Sequence, residues 1–142
     1  MTYLDTGCLV KLYYPEPDSP KVVARVQGQP LAYTELHELE FVNALQLKVF
    51  FHSATPNQVA AARGLVESDL ETGVLTAARL DWGDVFAEAT RLASQHSAVI
   101  GCRSLDILHC AAAKLLNATE FISADARQKK LADASGLNVV NL

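Results

Sequence analysis

Between Arg103 and Asp125 the hydrophobic period changes from helical to extended, and carboxylates stand at both ends of that change. Ser104 is placed to cap a helix, which puts Asp106 in the first turn, where the helix dipole favours negative charge. His109 falls three residues later on the same face. Cys110 to Ala113 are small enough to let this helix pack closely on a sheet. After Asn117, the run Glu120-Phe121-Ile122-Ser123 reads as a short buried strand, with Asp125 just beyond its carboxyl end. A carboxylate at a helix start and another at a strand end can face one crevice. Open α/β sheets bind their ligands there.

The rest of the chain fits that pattern. Thr2-Tyr3-Leu4 is a strand ending at Asp5, and Thr6-Gly7 is expected to turn the chain into a helix from Cys8 to Tyr14. Pro15 and Pro17 stop that helix. Ser19-Pro20 opens a second, to about Gln27, and Leu31 to Tyr33 is the next strand. Thr34 caps a long helix to about His52. Its arc Leu36, Leu39, Ala44, Leu47, Phe50 and Phe51 also contains Glu40 and Asn43, and the opposite side carries Phe41, Val42, Leu45 and Val49. A helix apolar nearly all round needs two covers. The second side is expected to be a homodimer or partner interface, with a helix over Pro56 to Thr72 as the alternative cover.

Thr55-Pro56 starts that helix, Val74 to Leu80 reads as extended or irregular, and Asp81-x-x-Asp84 opens a helix to Gln95 with Trp82 packed in the core. Ala126 to Ser135 is a last helix, ended by Gly136, and Leu137 to Val140 a last strand. Alternating strands and helices give an α/β class with a small, mostly parallel sheet. At 142 residues, half of them hydrophobic, one domain spanning 1–142 is expected. No apolar run reaches the ~18 residues of a membrane span. The chain enters a strand at once without a signal-peptide layout, and its three cysteines (Cys8, Cys102, Cys110) lack metal spacing, so a cytoplasmic protein with reduced thiols is expected. The net charge of −4 argues against a protein that coats nucleic acid, though not against a nuclease whose metal-binding carboxylates add to that count.

Four acids stand out by position. Asp5 and Asp125 follow strands, Asp106 starts a helix, and Glu40 interrupts an apolar arc. Taken singly, each has an ordinary structural role as a turn residue, a cap, a dipole partner or a snorkelling side chain. Gathered in one crevice, they repel one another unless a cation neutralises them. All-oxygen ligands suit Mg²⁺ or Mn²⁺, and such a site can ionise water and hold a phosphodiester. His109 lacks a second histidine at ligand spacing and reads as a core or supporting residue. Arg103 and Arg127 flank the acids as candidate phosphate contacts, ahead of Lys11, Lys129 and Lys130.

The motifs then form a recognisable set. Leu4-Asp5-Thr6-x-x-Leu-Val-Lys-Leu-Tyr, Glu38-Leu39-Glu40-Phe41-Val42-x-Ala44-Leu45, Leu105-Asp106-x-x-His109-x-Ala111-Ala112-Ala113 and Phe121-Ile122-Ser123-x-Asp125-x-Arg127-Gln128-x-x-Leu131-Ala132 resemble those of PIN domains, nearest the bacterial VapC type. The resemblance implies a three-layer αβα fold with sheet order 3-2-1-4-5. It also implies a Mg²⁺- or Mn²⁺-dependent endoribonuclease acting as the toxin of a VapBC-type pair, with RNA as substrate and a VapB-type antitoxin as partner. Asp5, Glu40, Asp106 and Asp125 would be the catalytic, metal-holding acids, supported by Thr6, Ser123 and His109. Gly7 stands where the family usually has Ser, and Ser123 where it usually has Thr. Two alternatives remain at this stage: a non-catalytic interaction module that kept the acidic pocket, and a metal-dependent phosphatase. Asp5-Thr6-Gly7 lacks the second Asp of the haloacid-dehalogenase-type phosphatases, and His37-Glu38-x-x-Phe41 lacks the second histidine of metalloproteases.

Overall fold

Side chains alternate across a strand, so even three residues can serve two cores. On β1 (Thr2–Leu4), Tyr3 enters one hydrophobic cluster and Leu4 another. The same division holds on β4 (Glu120–Ile122), where Phe121 joins Tyr3 and Ile122 joins Leu4. The computed structural model describes residues 1–142. With β2 (Leu31–Tyr33), β3 (Leu75–Ala77) and β5 (Val139–Val140) these strands form one all-parallel sheet in the order β3-β2-β1-β4-β5, as expected from the resemblance. The register pairs Tyr3 with Phe121 and Leu4 with Ile122.

One face of the sheet carries α1 (Thr6–Tyr13), α2 (Ser19–Val26), α3 (Glu35–Phe50) and α4 (Pro56–Thr72). The other carries α5 (Trp82–Ile100), α6 (Ser104–Leu115) and α7 (Ala126–Ala134), with Cys110 to Ala113 fully buried as their size allows. No helix is long and apolar enough to cross a membrane.

Several local expectations are corrected. Thr6 and Gly7 do not form a separate turn; α1 starts at Thr6, because Asp5 caps it by accepting from the Cys8 amide at 2.7 Å. Ser104 is the first residue of α6 rather than its cap; Arg103 holds the cap position without a side-chain cap bond. In α2, Ser19 is likewise inside the helix, its hydroxyl accepting from the Glu16 amide. Val74 to Leu80 is extended as expected, carrying the edge strand β3 with only Leu75 buried, whereas α5 runs past Gln95 to Ile100. Trp82 is only partly buried, against the rim of the core.

The largest correction concerns α3. The side expected to be exposed is the inner one: Phe41 and Leu45 are fully buried against Val59, Ala62 and Val66 of α4. Leu39, Leu47, Phe50 and Phe51 face outward instead. What sets the roll of this helix is His37. Its Nε2 donates to the Leu4 carbonyl at 2.8 Å, and its Nδ1 accepts from the Thr34 amide at 3.0 Å, closing a capping box in which histidine takes the place of glutamate. With His37 fixed inward, residues four and eight positions later share its face. Phe41 and Leu45 are therefore taken up by α4, the alternative cover, and do not form the expected homodimer or partner contact; Val42 and Val49 are half-buried beside them.

Two outcomes follow from this packing. Leu45→Ala should cost about 2–5 kcal/mol in urea denaturation, whereas Leu39→Ala, on a residue 66 % exposed, should stay within about 0.5 kcal/mol. If Leu39 proves the costlier site, α3 is rolled the other way.

The second outcome concerns acid. Burial, and then the nearby His109, push the His37 pKa from 6.5 down to about 3. Below 6.5 the unfolded chain takes up a proton that the folded chain refuses. This contribution to stability is whole above pH 6.5 and is lost as pH falls towards about 3, at about 1.4 kcal/mol per pH unit. His37→Gln keeps an acceptor for the Thr34 amide but cannot titrate, so its urea midpoint should fall less between neutral and mildly acidic buffer than that of the parent. Equal slopes would remove His37 as the cause.

Candidate active site

The chain leaves β1 towards β2 on one side, and β4 lies on the other, so the sheet changes direction between β1 and β4. Loops diverge at such a point and leave a crevice at the carboxyl ends of the strands. A cavity of about 310 Å³ lies here, lined by Asp5, Glu40, Asp106 and Asp125, with Thr6, Lys11, Arg103, His109 and Gln128 among its other walls. All four acids singled out by position thus line one crevice, as do Thr6 and His109. Ser123 lies just behind it.

Each acid is held by a different local device. Asp5 extends the β1–β4 ladder through its amide, which donates to the Ile122 carbonyl at 2.9 Å, and caps α1 with Oδ1. Asp125 caps α7, with Oδ1 accepting from the Arg127 and Gln128 amides at 2.8 and 2.9 Å. Using one oxygen for the cap leaves the other oxygen of each carboxylate for the crevice. Ser123 Oγ accepts from the Asp125 amide and donates to Gln128 Oε1, both at 2.9 Å, so the hydroxyl common to Ser and Thr does the holding. At Gly7 a Cβ would stand 3.5 Å from Asp5 Oδ1, an ordinary contact, so space does not dictate the glycine.

Glu40 is held by a buried chain of donors. Thr6 Oγ1 donates to Glu40 Oε1 at 2.9 Å, and His109 Nε2 donates to the same oxygen. With that proton on Nε2, His109 Nδ1 is left as an acceptor for the Tyr3 hydroxyl at 2.9 Å. Burial pushes the Tyr3 phenol up, so it stays a donor. Burial alone would also raise the Glu40 carboxyl, but the His109 and Thr6 bonds outweigh it and hold the group below its ordinary value. Asp125 is held low chiefly by the Gln128 amide; partial burial opposes this, and the Arg127 amide and the Arg103 charge reinforce it. Both carboxylates are therefore ionised at neutral pH.

Of the two cations lining the crevice, Lys11 and Arg103, it is Arg103 that pairs with the acids. Its Nε bonds Asp106 Oδ2 at 3.0 Å, and its Nη2 lies 3.5 Å from Asp125 Oδ2. No three His, Cys, Asp or Glu side chains are gathered here as a metal-ligand set. The donors nevertheless suit a hard divalent ion: four carboxylates with a single hydrophobic lining residue. The Arg103 side chain is 70 % exposed and can swing out without disturbing the core.

The other expected cations are distributed unevenly. Arg127 lies beside the crevice and donates to the Gly101 carbonyl at 3.3 Å. Lys130 shares a neighbouring cavity with it, Lys11 is tied to Asp18 at 2.5 Å, and Lys129 reaches Asn141 away from the acids. Sequence reasoning missed Tyr3 and Gln128. Tyr3 looks like a core aromatic, and only its hydroxyl, in need of a partner when buried, hints at more. Gln128 is 2 % exposed three residues after a capping Asp, and a polar side chain buried there is the signal that was available.

A family model described as PIN domain matches residues 2–134. No curated protein matches the chain. Among solved structures, FitAcB from Neisseria gonorrhoeae is 16% identical with a TM-score of 0.66, covering 99% of this chain and 97% of that one. VapBC2 from Rickettsia felis, bound to a DNA fragment from its promoter, is 16% identical with a TM-score of 0.67, covering 99% and 98%. A toxin–antitoxin complex from Klebsiella pneumoniae is 13% identical with a TM-score of 0.60, covering 99% and 97%. At these identities the structures share the fold, and the family match spans nearly the whole chain: it belongs to the PIN domain family, whose members are generally nucleases.

Proposed function

We propose that this protein is a Mg²⁺- or Mn²⁺-dependent endoribonuclease and the toxin of a VapBC-type pair in the cytoplasm. The observation that carries the reading is the convergence of Asp5, Glu40, Asp106 and Asp125 on one small crevice at the switch point of the sheet. The four acids would hold the ion. When bound, it would supply positive charge against the phosphodiester and a readily ionised water. Thr6 and His109 aim Glu40 into the crevice, and Tyr3 fixes the His109 tautomer. Ser123 and Gln128 hold the turn that presents Asp125. Arg103, released from the acids, would be free to meet a phosphate of the RNA.

Support for a VapB-type antitoxin comes from structural neighbours that include toxin–antitoxin complexes. The surface that suits a protein partner, or a second copy in a homodimer, is the exposed apolar rim of the crevice, formed by Leu39, Leu47 and Leu105. One observation favours a second reading, a non-catalytic interaction module: Arg103 already neutralises two of the four acids within the chain.

Cleavage separates the two readings. The purified protein should cut single-stranded RNA when Mn²⁺ or Mg²⁺ is added, and Asp106→Asn should lose at least the roughly 100-fold that removal of a mere supporting residue can cost. Equal cleavage by parent and variant would mark a contaminating nuclease and leave the interaction module in the lead.

Metal binding has its own readout. Millimolar Mn²⁺ should raise the melting temperature by mass action, and Asp5→Asn or Asp125→Asn should abolish the gain. Tyr3→Phe removes one hydroxyl from behind His109 and should weaken Mn²⁺ binding about tenfold by calorimetry. A melting curve indifferent to both ions would sink the metal site.

A further inference from the structure

Two further hollows adjoin the acidic crevice, and they differ in chemistry. Beyond Thr6 and Glu40 lies a groove of about 410 Å³ walled by Val10, Leu39, Ala44, Leu47 and Leu105, with no cation in its lining. Beyond Asp125 lies one of about 650 Å³ lined by Arg103, Arg127 and Lys130, with Asp125 as its only carboxylate. Arg127 and Lys130 stand three residues apart on α7 and so face the same way. Neither forms an ion pair within the chain. The Arg127 guanidinium is anchored by one bond to the Gly101 carbonyl, which leaves its remaining N–H groups free. Gly101 ends α5 in the left-handed conformation, φ 71°, and this turn sets Val99 and Ile100 as the apolar wall opposite α7.

We infer that this basic hollow is a phosphate subsite for the substrate strand: RNA crossing the acidic crevice continues between the end of α5 and the start of α7, with phosphates beside the scissile one held by Arg127 and Lys130. The inference rests on the nuclease reading and adds a direction to it. A polyanion gains by counterion release only where it meets cations, and of the two flanks only this one supplies them. The wall of Val99 and Ile100 sheds water on binding, which strengthens the charge contacts beside it. The apolar flank is left to a protein partner.

Binding without cleavage tests it. In an Asp106→Asn background, Arg127→Gln with Lys130→Gln is compared with its parent by fluorescence anisotropy, using a labelled short single-stranded RNA over a range of KCl concentrations. Affinity should fall about tenfold, and the slope of log K against log salt should shrink by about 1.4, two contacts at about 0.7 each. A charge-matched pair on α2 and α4, Lys21→Gln with Arg63→Gln, should leave both quantities near the parent values. Loss of affinity without a change of slope would overturn the subsite, since the lost contacts would not be to phosphates. Equal binding by parent and variant would overturn it while the nuclease reading stands. Unchanged RNA binding with altered sedimentation of the RNA-free variant would overturn it in favour of a second copy docking there. A parent that binds no RNA would remove the subsite and the nuclease reading together.

Discussion

Four carboxylates share a crevice of about 310 Å³, and the rest of the structure is arranged around making that tolerable. Repulsion among them would raise their pKa values and loosen the loops that bring them together. Backbone amides, placed by helix starts, supply much of the compensation. Asp5 sits on the first turn of α1 and Asp125 on the first turn of α7, so each negative charge faces the positive end of a helix and occupies an amide that would otherwise lack a partner. These two acids are thus structural parts of the fold. Arg103 completes the neutralisation from the solvent side, paired with Asp106 and Asp125.

Behind this crevice a polar column runs through what is otherwise an apolar core. The Tyr3 ring lies 4.8 Å from that of His37 and 5.7 Å from that of His109, and the two imidazoles are 5.1 Å apart. Both histidines and Tyr3 are buried, and each polar atom of the column has a partner. A fully satisfied network of this kind specifies geometry at low cost, whereas removal of one member strands another in a low dielectric. It joins the start of α3 to the middle of α6 across β1. The orientation of Glu40 therefore depends on residues of three different elements.

Much of this was legible in the sequence. The strands ending at Asp5 and Asp125, the first-turn Asp106 and the alternation of strand and helix locate the crevice, because these signals are local and hydrophobic period reports them directly. What escaped is non-local. The roll of α3 could not be read from a helix apolar on two sides; it is fixed by a hydrogen bond from His37 to a carbonyl 33 residues away. Edge strand β3 buries only Leu75, so Val74 to Leu80 reads as extended or irregular without bounds for the strand. Tyr3 and Gln128 act through polar tips whose partners the linear sequence does not name. Asp5 as the cap of α1 was within reach, since an Asp just before a helix commonly caps it.

The position of β1 has a kinetic consequence. The first strand in the chain is the middle strand of the sheet, and its partner β4 lies beyond residue 119, with the Thr119 amide donating to the Met1 carbonyl at 3.0 Å. During synthesis, β1 can pair with β2 early, but its other edge must wait until most of the chain has emerged. Closing so long a loop weighs on the folding rate more than on final stability. Asp125 joins the other acids only at that step. A ribosome-bound chain that ends short of β4 therefore holds Asp5, Glu40 and Asp106 without Asp125, so the four-acid crevice is completed late in translation rather than gradually along it.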